Sequence, residues 1–383
     1  MGNQFKSKLL AIVALASIIF YSINCRPAWN PESNKVAYIY YDESMWGITI
    51  YDLITKENKF IVEVSQNESS NKGEIFVPIE VFWLKNGKDL IYVLAPGEHD
   101  SKTGILVLYK YNLIKNEEEK IDSFNIPGVS TSSSGNIILE RERWLWIAGE
   151  DGYYRIDIKK GKTQKFKQKE EIVFGNDRKL YFASQSEKDK IPIGKINTLF
   201  GIKGKKLFTI FQENGQKITL LLSTPLKQKR FAFLKYTEKE TKIVLINEKG
   251  KYIKEINLPE SIKIEAGSDD SLSFSSEWNQ QGTILWFTIR TENDKFAVAE
   301  VNFVEESVNI IKFDDIIYET KEKIVPFPFQ FALSSDQKHL AMSLMSEDYK
   351  SFRLGLIDLT TKERKITIIP PIEDKLKETQ NKD

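Results

Sequence analysis

The chain of 383 residues has one cysteine, two histidines and four methionines. A single cysteine excludes an internal disulfide, so the fold must rest on packing alone. Metal centres are built chiefly from His and Cys clusters, and Cys25, His99 and His339 lie far apart; no metal or cofactor site is expected. A Ser-His-Asp triad would need one of those two histidines, and His339 sits in a turn before an apolar run, where a solvated or core role fits better. No G-x-S-x-G, H-E-x-x-H or phosphate-binding loop occurs. Neither sign of charge dominates: 55 basic residues face 54 acidic ones, for a net charge of +1, which gives no electrostatic reason to expect a nucleic-acid partner. The carboxylate pairs Asp269/Asp270 and Asp314/Asp315 stand in charged loops and read as solvated.

Hydrophobic residues make up 41% of the chain and aromatic ones 12%, a composition that favours strands and a large buried core. The first residues differ from the rest. Lys6 and Lys8 precede an uncharged apolar run, Leu9–Tyr21, of 13 residues. About 20 are needed to cross a bilayer as a helix, so the run has the shape of an export signal. Cys25 follows four residues after the run and resembles the acylated cysteine of bacterial lipoproteins, although Ser22-Ile23-Asn24 departs from the usual box. Residues 1–24 are then a signal peptide, with Cys25 as the lipidation site. A soluble exported protein and an uncleaved anchor remain the other readings. Arg26 after the cysteine, in place of Asp, implies by the same resemblance an outer-membrane destination.

Self-similarity organises the remainder. One signature is a polar turn followed by a short apolar strand: NPESNKVAYIYY, KNGKDLIYVL, SSSGNIILE, NDRKLYFAS, LKQKRFAFLKY, NQQGTILWFTI and SSDQKHLAMSL. The second is an alternating strand that closes on Asp52, Asn112, Asp157, Asn197, Asn247, Asn302 or Asp358, then a charged turn. The two stay in phase, and the second recurs every 51 residues on average. Asp and Asn suit such turns because their side chains bond the backbone beyond them. Each copy holds four strand-like pieces, so the chain reads as all-β, without an amphipathic helix in the array. Trp29, Trp83 and Trp278 occupy one slot, just before the polar turn, and read as packing between copies. Asp314–Val325 reads as a short helix or a long loop, and residues 372–383 as a disordered charged tail.

WNPESNKVAY and LSSDQKHLAMS resemble the repeat of TolB-like and WD40-like β-propellers, in which a Trp/Phe-Ser-Pro-Asp-Gly-Lys turn precedes Ile-Ala-Phe. The resemblance covers about residues 26–371. It implies a β-propeller over residues 25–371, most simply of seven four-stranded blades; the looser fourth and fifth copies leave six or eight open.

One stretch breaks the pattern. RERWLW interrupts the third copy, and two tryptophans two apart point to one face of a strand. Arg141, Arg143, Trp144 and Trp146 thus form a possible interaction patch if exposed, or one more contact between copies if buried. The expected function is a membrane-tethered, non-catalytic scaffold, held by acyl chains on Cys25 and bound to an envelope protein. The alternative is an exported propeller hydrolase or lyase acting on a sugar, lactone or peptide.

Overall fold

The alternation of polar turns and apolar runs is realised as strands throughout. The computed structural model describes residues 26–42, 45–65, 76–96, 104–129, 137–149, 152–166, 230–236, 240–260, 262, 276–290, 296–312, 330–346, 351–361, 364 and 366–369, together with the backbone of the strands within 171–223 and 316–325. Thirty strands and no helix lie among the described residues. In chain order they are β1 (Ala28–Trp29), β2 (Lys35–Asp42), β3 (Met45–Asp52) and β4 (Glu57–Ser65); then β5 (Phe76–Trp83), β6 (Asp89–Pro96), β7 (Ile105–Asn112) and β8 (Glu117–Asn125). Next come β9 (Ile137–Glu140), β10 (Trp144–Gly149), β11 (Gly152–Asp157) and β12 (Lys162–Phe166); β13 (Glu171–Phe174), β14 (Leu180–Ser184), β15 (Thr198–Lys203) and β16 (Lys206–Gln212). They continue as β17 (Ile218–Ser223), β18 (Arg230–Tyr236), β19 (Thr241–Asn247) and β20 (Tyr252–Asn257); β21 (Ser276–Trp278), β22 (Ile284–Arg290), β23 (Phe296–Asn302) and β24 (Ser307–Lys312). The last are β25 (Ile316–Ile317), β26 (Lys323–Val325), β27 (Phe331–Leu333), β28 (His339–Ser346), β29 (Phe352–Asp358) and β30 (Ile366–Ile368).

The pairings among the described strands are antiparallel, and within each set of four they join strands in simple succession. Five sheets have four strands each, from β5 to β24 in consecutive sets. The sixth is ten-stranded: β1–β4 and β27–β30 join through a single bridge, Tyr41 opposite Phe352, with β25 and β26 added beside β28. Among the described residues no strand is exchanged between its first and last sets. Asp314–Val325 therefore contributes two short strands where a helix or loop was expected. The reason is local: Ile324 and Val325 find backbone partners in Ser346 and Met345 of β28.

The chain divides into two compact units, Met1–Ile137 with Gly149–Asp151 and Ile317–Asp383, and Ile138–Ala148 with Gly152–Ile316. In the first unit the side-chain period of a strand sorts the core. Ala37, Ile39, Ile48 and Ile50 pack with Val81, Leu90, Tyr92 and Tyr111 of β5–β7. The alternate residues Val36, Tyr38, Tyr40 and Tyr51 pack with Ala332, Ala341, Leu354 and Leu356 of β27–β29. The β2–β3 hairpin is thus buried on both faces, which is why it reads as a nearly continuous apolar run and not as a polar–apolar alternation. Where side chains are described, burial falls from first to last strand: β5 and β21 are largely buried, while β8, β12 and β20 are mostly exposed and carry charged residues. Charged outer strands guard the unpaired edge against pairing with another chain.

The first and last sets meet in a seam within the first unit. Trp29 Nε1 donates to the Ala332 carbonyl at 2.8 Å, and Arg26 Nε to the Phe331 carbonyl at 3.0 Å. The Asp336 amide donates to Ser33 Oγ at 3.0 Å, and the Trp29 and His339 rings lie 5.9 Å apart. In the second unit, Trp278 is 2% exposed and stacks on Phe303 at 5.3 Å. Trp83 is half-buried beside the β2–β7 cluster. All three tryptophans of the shared slot are therefore packing residues.

Candidate interaction surface

The Asp/Asn signature is spent on turns. Asp52 Oδ1 accepts from the Ile54 amide at 2.8 Å, Asn112 Oδ1 from Lys115 at 2.9 Å and Asn247 Oδ1 from Lys249 at 2.9 Å. Asn302 Oδ1 accepts from Val304 at 3.0 Å and Asp358 Oδ1 from Thr360 at 2.8 Å. Each sits at the last position of the third strand of its set. Asn197 does not fit: it lies outside the described residues, and β15 starts just after it, at Thr198, instead of ending there.

The first turns of the β1–β4, β21–β24 and β27–β30 sets use a second device. Asn30 Oδ1 accepts from the amides of Asn34 and Lys35, Asn279 Oδ1 from Thr283 and Ile284, and Ser334 Oγ from Lys338 and His339. These three, and the turn between Leu84 and Asp89, are four-residue loops with one left-handed residue each: Ser33, Gly282, Gln337 and Gly87 respectively.

The third set departs from this. Its first strand is β9, Ile137–Glu140, so Ser132–Asn136 precedes the first strand and is not the turn before the second. The turn is Arg141–Arg143, closed by the Arg143 amide donating to the Glu140 carbonyl at 3.1 Å. It has two central residues, Arg141 and Glu142, both at φ 53. Two successive left-handed residues make a primed hairpin turn, a role usually filled by Asn-Gly. Arg141 and Glu142 carry side chains there that disfavour this backbone.

Around the turn the charges are organised. Arg143 donates to Asp157 Oδ2 through Nε at 3.1 Å and Nη2 at 2.7 Å. Two guanidiniums lie over the half-buried Trp144 ring, Arg143 at 4.6 Å and Arg155 at 4.2 Å from its centroid. Arg155 is held by Gln164 at 3.0 Å and also faces Trp146 at 5.4 Å and Phe166 at 5.9 Å. Both tryptophans thus lie on one face of β10. Trp146 is only 5% exposed, and its Nε1 donates to Glu140 Oε2 at 3.1 Å. Arg141 is 80% exposed by side chain. Of the four residues singled out in the sequence, Arg141, Arg143 and Trp144 reach the surface together, and Trp146 belongs to the core beneath them. Arg155 and Phe166 complete the stack. The signal for them was the alternation Tyr153, Arg155, Asp157 on the strand next to β10.

The neighbouring turn adds to this surface. The Ile158 amide donates to the Arg143 carbonyl at 2.9 Å, setting the Asp157–Lys162 hairpin beside Arg141–Arg143. Lys159, Lys160 and Lys162 are exposed there. The bonded Arg143 guanidinium, opposed by burial and aided by the Lys159 amide, holds the Asp157 carboxyl below the usual range.

Cys25, His99, Asp269/Asp270 and Asp314/Asp315 lie outside the described residues. Among the described residues no three His, Cys, Asp or Glu side chains are placed to hold a metal ion, and no helix is long and apolar enough to cross a membrane. Glu80 and Glu277 are buried carboxylates on the first strands of their sheets.

Four further carboxylates resemble Asp157. Asp52, Asp89 and Asp336 resist the upward pull of burial through Lys35, through Asn86, Lys110 and Asn112, and through Ser334 respectively; Thr360 lowers Asp358. A carboxylate whose folded value lies below its unfolded value stabilises above the latter and loses that contribution as the pH falls through the former. Urea unfolding at a series of pH values should therefore show stability level above about pH 5 and declining below about pH 4. A midpoint unchanged down to about pH 3 would refute the structural role given to these five groups.

No family model and no curated protein matches this chain. Solved structures do resemble it. The β-propeller domain of the Trilobed protease from Pyrococcus furiosus, described as having an open velcro topology, aligns with a TM-score of 0.53 at 13% identity, over 91% of this chain and 98% of that one. Oligogalacturonate lyase from Vibrio parahaemolyticus aligns with a TM-score of 0.55 at 10% identity, over 90% and 93% of the two chains. TolB from Acinetobacter baumannii, 12% identical over 88% of this chain and 66% of that one, reaches a TM-score of only 0.38, which carries no argument. The likenesses show the fold: the chain is all-β with a β-propeller arrangement.

Proposed function

We propose that the protein is a lipid-tethered, non-catalytic propeller scaffold of the bacterial cell envelope, of TolB-like type. The seven-blade reading is supported by the five four-stranded sheets together with the β1–β4 and β27–β30 sets. The observation that carries the scaffold reading is the β9–β12 turn surface, where the repeat is broken to present Arg141 beside three exposed lysines over a clamped Trp144. Arg and Trp are the side chains on which protein interfaces most often depend. One feature supports the tether: the signal-like run before Cys25. Two or three acyl chains, at about 0.8 kcal/mol per buried CH₂, hold a protein on a membrane for long times. The lack of Asp after Cys25 directs the proposal to the outer membrane.

Metabolic labelling with a clickable palmitate tests the tether in the native host. Wild-type protein should take the label, and Cys25→Ala should lose it and move to the soluble fraction. Label retained by Cys25→Ala, or absent from both, would refute the lipoprotein assignment.

The second reading, an exported propeller enzyme, is favoured by Glu80 and Glu277, buried carboxylates on first strands. It requires turnover in a screen of sugar, lactone and peptide substrates that Glu80→Gln or Glu277→Gln abolishes.

A further inference from the structure

Resting on the scaffold reading, we infer that the turn end of the β9–β12 sheet docks an acidic polypeptide segment. Six basic side chains converge there, Arg141, Arg143, Arg155, Lys159, Lys160 and Lys162, against the acids Glu140, Glu142 and Asp157. The local balance is +3 in a chain whose whole net charge is +1. Two of the acids are already engaged, Asp157 by Arg143, and Glu140 by the Trp146 indole and, at 3.8 Å, by the largely exposed Arg141. The three lysines are exposed and form no ion pair among the described residues.

Two of the basic groups are also ordered in advance. Arg143 is fixed by Asp157 and Arg155 by Gln164, and both guanidiniums are stacked on Trp144. A partner would not have to freeze them, which removes part of the entropic cost of association. Guanidinium forks match carboxylates in geometry as well as in charge. The turn supplies a separate observation. The other first turns described use four-residue loops with a single left-handed residue, whereas this one holds two charged side chains in that conformation. A strained turn that displays an exposed arginine is the kind of local conflict found at binding sites.

A lipid surface is the weaker occupant. Among the described residues the large apolar side chains left exposed are Ile54, Ile114, Tyr252, Ile253 and Val304, none of them on this sheet. The basic face has nothing of that kind to insert into a bilayer.

The test titrates the purified full chain with fluorescent poly-L-glutamate and, separately, with vesicles of phosphatidylglycerol and phosphatidylcholine. Wild type should bind poly-L-glutamate, more weakly as salt is raised. Arg141→Glu with Lys160→Glu should weaken binding about tenfold or more. The control Lys88→Glu with Lys338→Glu, equal in charge change and distant in sequence, should leave it unaltered. Arg141→Asn with Glu142→Gly should raise the melting temperature while lowering the affinity, a pairing that a turn with only a structural role would not produce. Equal losses in the control and test variants would overturn the assignment. So would binding to the vesicles alone, or no binding to poly-L-glutamate. Palmitate labelling is read independently, so failure of the tether and failure of this surface are distinguishable.

Discussion

Trp29→Ala is expected to lower the stability of the first unit by about 3–5 kcal/mol, the range for deleting a buried aromatic side chain. Trp29 is 9% exposed and belongs to the cluster that joins β1–β3 to β27–β29. Its truncation empties space between the first and last strands and also leaves the Ala332 carbonyl without its donor. The two losses can be separated. Trp29→Phe keeps most of the apolar volume and removes the donor, so it should cost about 1–2 kcal/mol. Trp83 is a comparison within the same slot, because its Nε1 has no hydrogen-bond partner among the described residues. Trp83→Phe should therefore cost less than Trp29→Phe. Urea unfolding followed by tryptophan emission and by circular dichroism measures all three. A loss below about 1 kcal/mol for Trp29→Ala would show that the seam is not held at this residue.

Gly104→Ala should be nearly as damaging, at about 2–4 kcal/mol, although it adds a single methyl group. Gly104 lies at φ +58, and a Cβ placed there would stand 2.4 Å from the Ile126 carbonyl oxygen. The neighbour cannot withdraw freely, since the Ile126 amide donates to the Gly104 carbonyl at 2.7 Å. Gly87 separates backbone strain from the clash. It has a similar φ of +65, but the nearest atom to its Cβ position is a side-chain atom 3.7 Å away. Gly87→Ala should cost only the left-handed penalty, about 1 kcal/mol. Equal losses at the two sites would remove the steric part of the argument.

How far the fold could be read in advance follows from which residues carry local signals. The Asp/Asn residues that end third strands were legible because their side chains do the same local job in each set, bonding amides two or three residues ahead. The shared tryptophan slot was legible for a similar reason. The third set was misphased because Arg141-Glu142 has no Gly, Asn or Pro to mark a turn, while the polar stretch before Ile137 looks like one. First and second strands are both buried, so Ile137–Leu139 resembles either. Asn197 imitated the strand-ending position by composition alone. Residues 316–325 form strands only because β28 offers backbone partners, which no local pattern announces. The Arg/Trp surface was half legible. Strand alternation placed Trp144 and Trp146 together, but only the pairing of strands brings in Arg155, Phe166 and the lysine hairpin.

The succession of strands without exchange has a kinetic consequence. Each four-stranded set pairs residues close in sequence, so it can form as soon as its own segment is available. The seam is different, since Trp29 and Ala332 are 303 positions apart. Until the last strands exist, Val36, Tyr38, Tyr40 and Tyr51 have no cover on their face of the first sheet. That face stays uncovered until residues 332–356 have been made. A cell that handles this protein would have to shield its beginning until its end has been made.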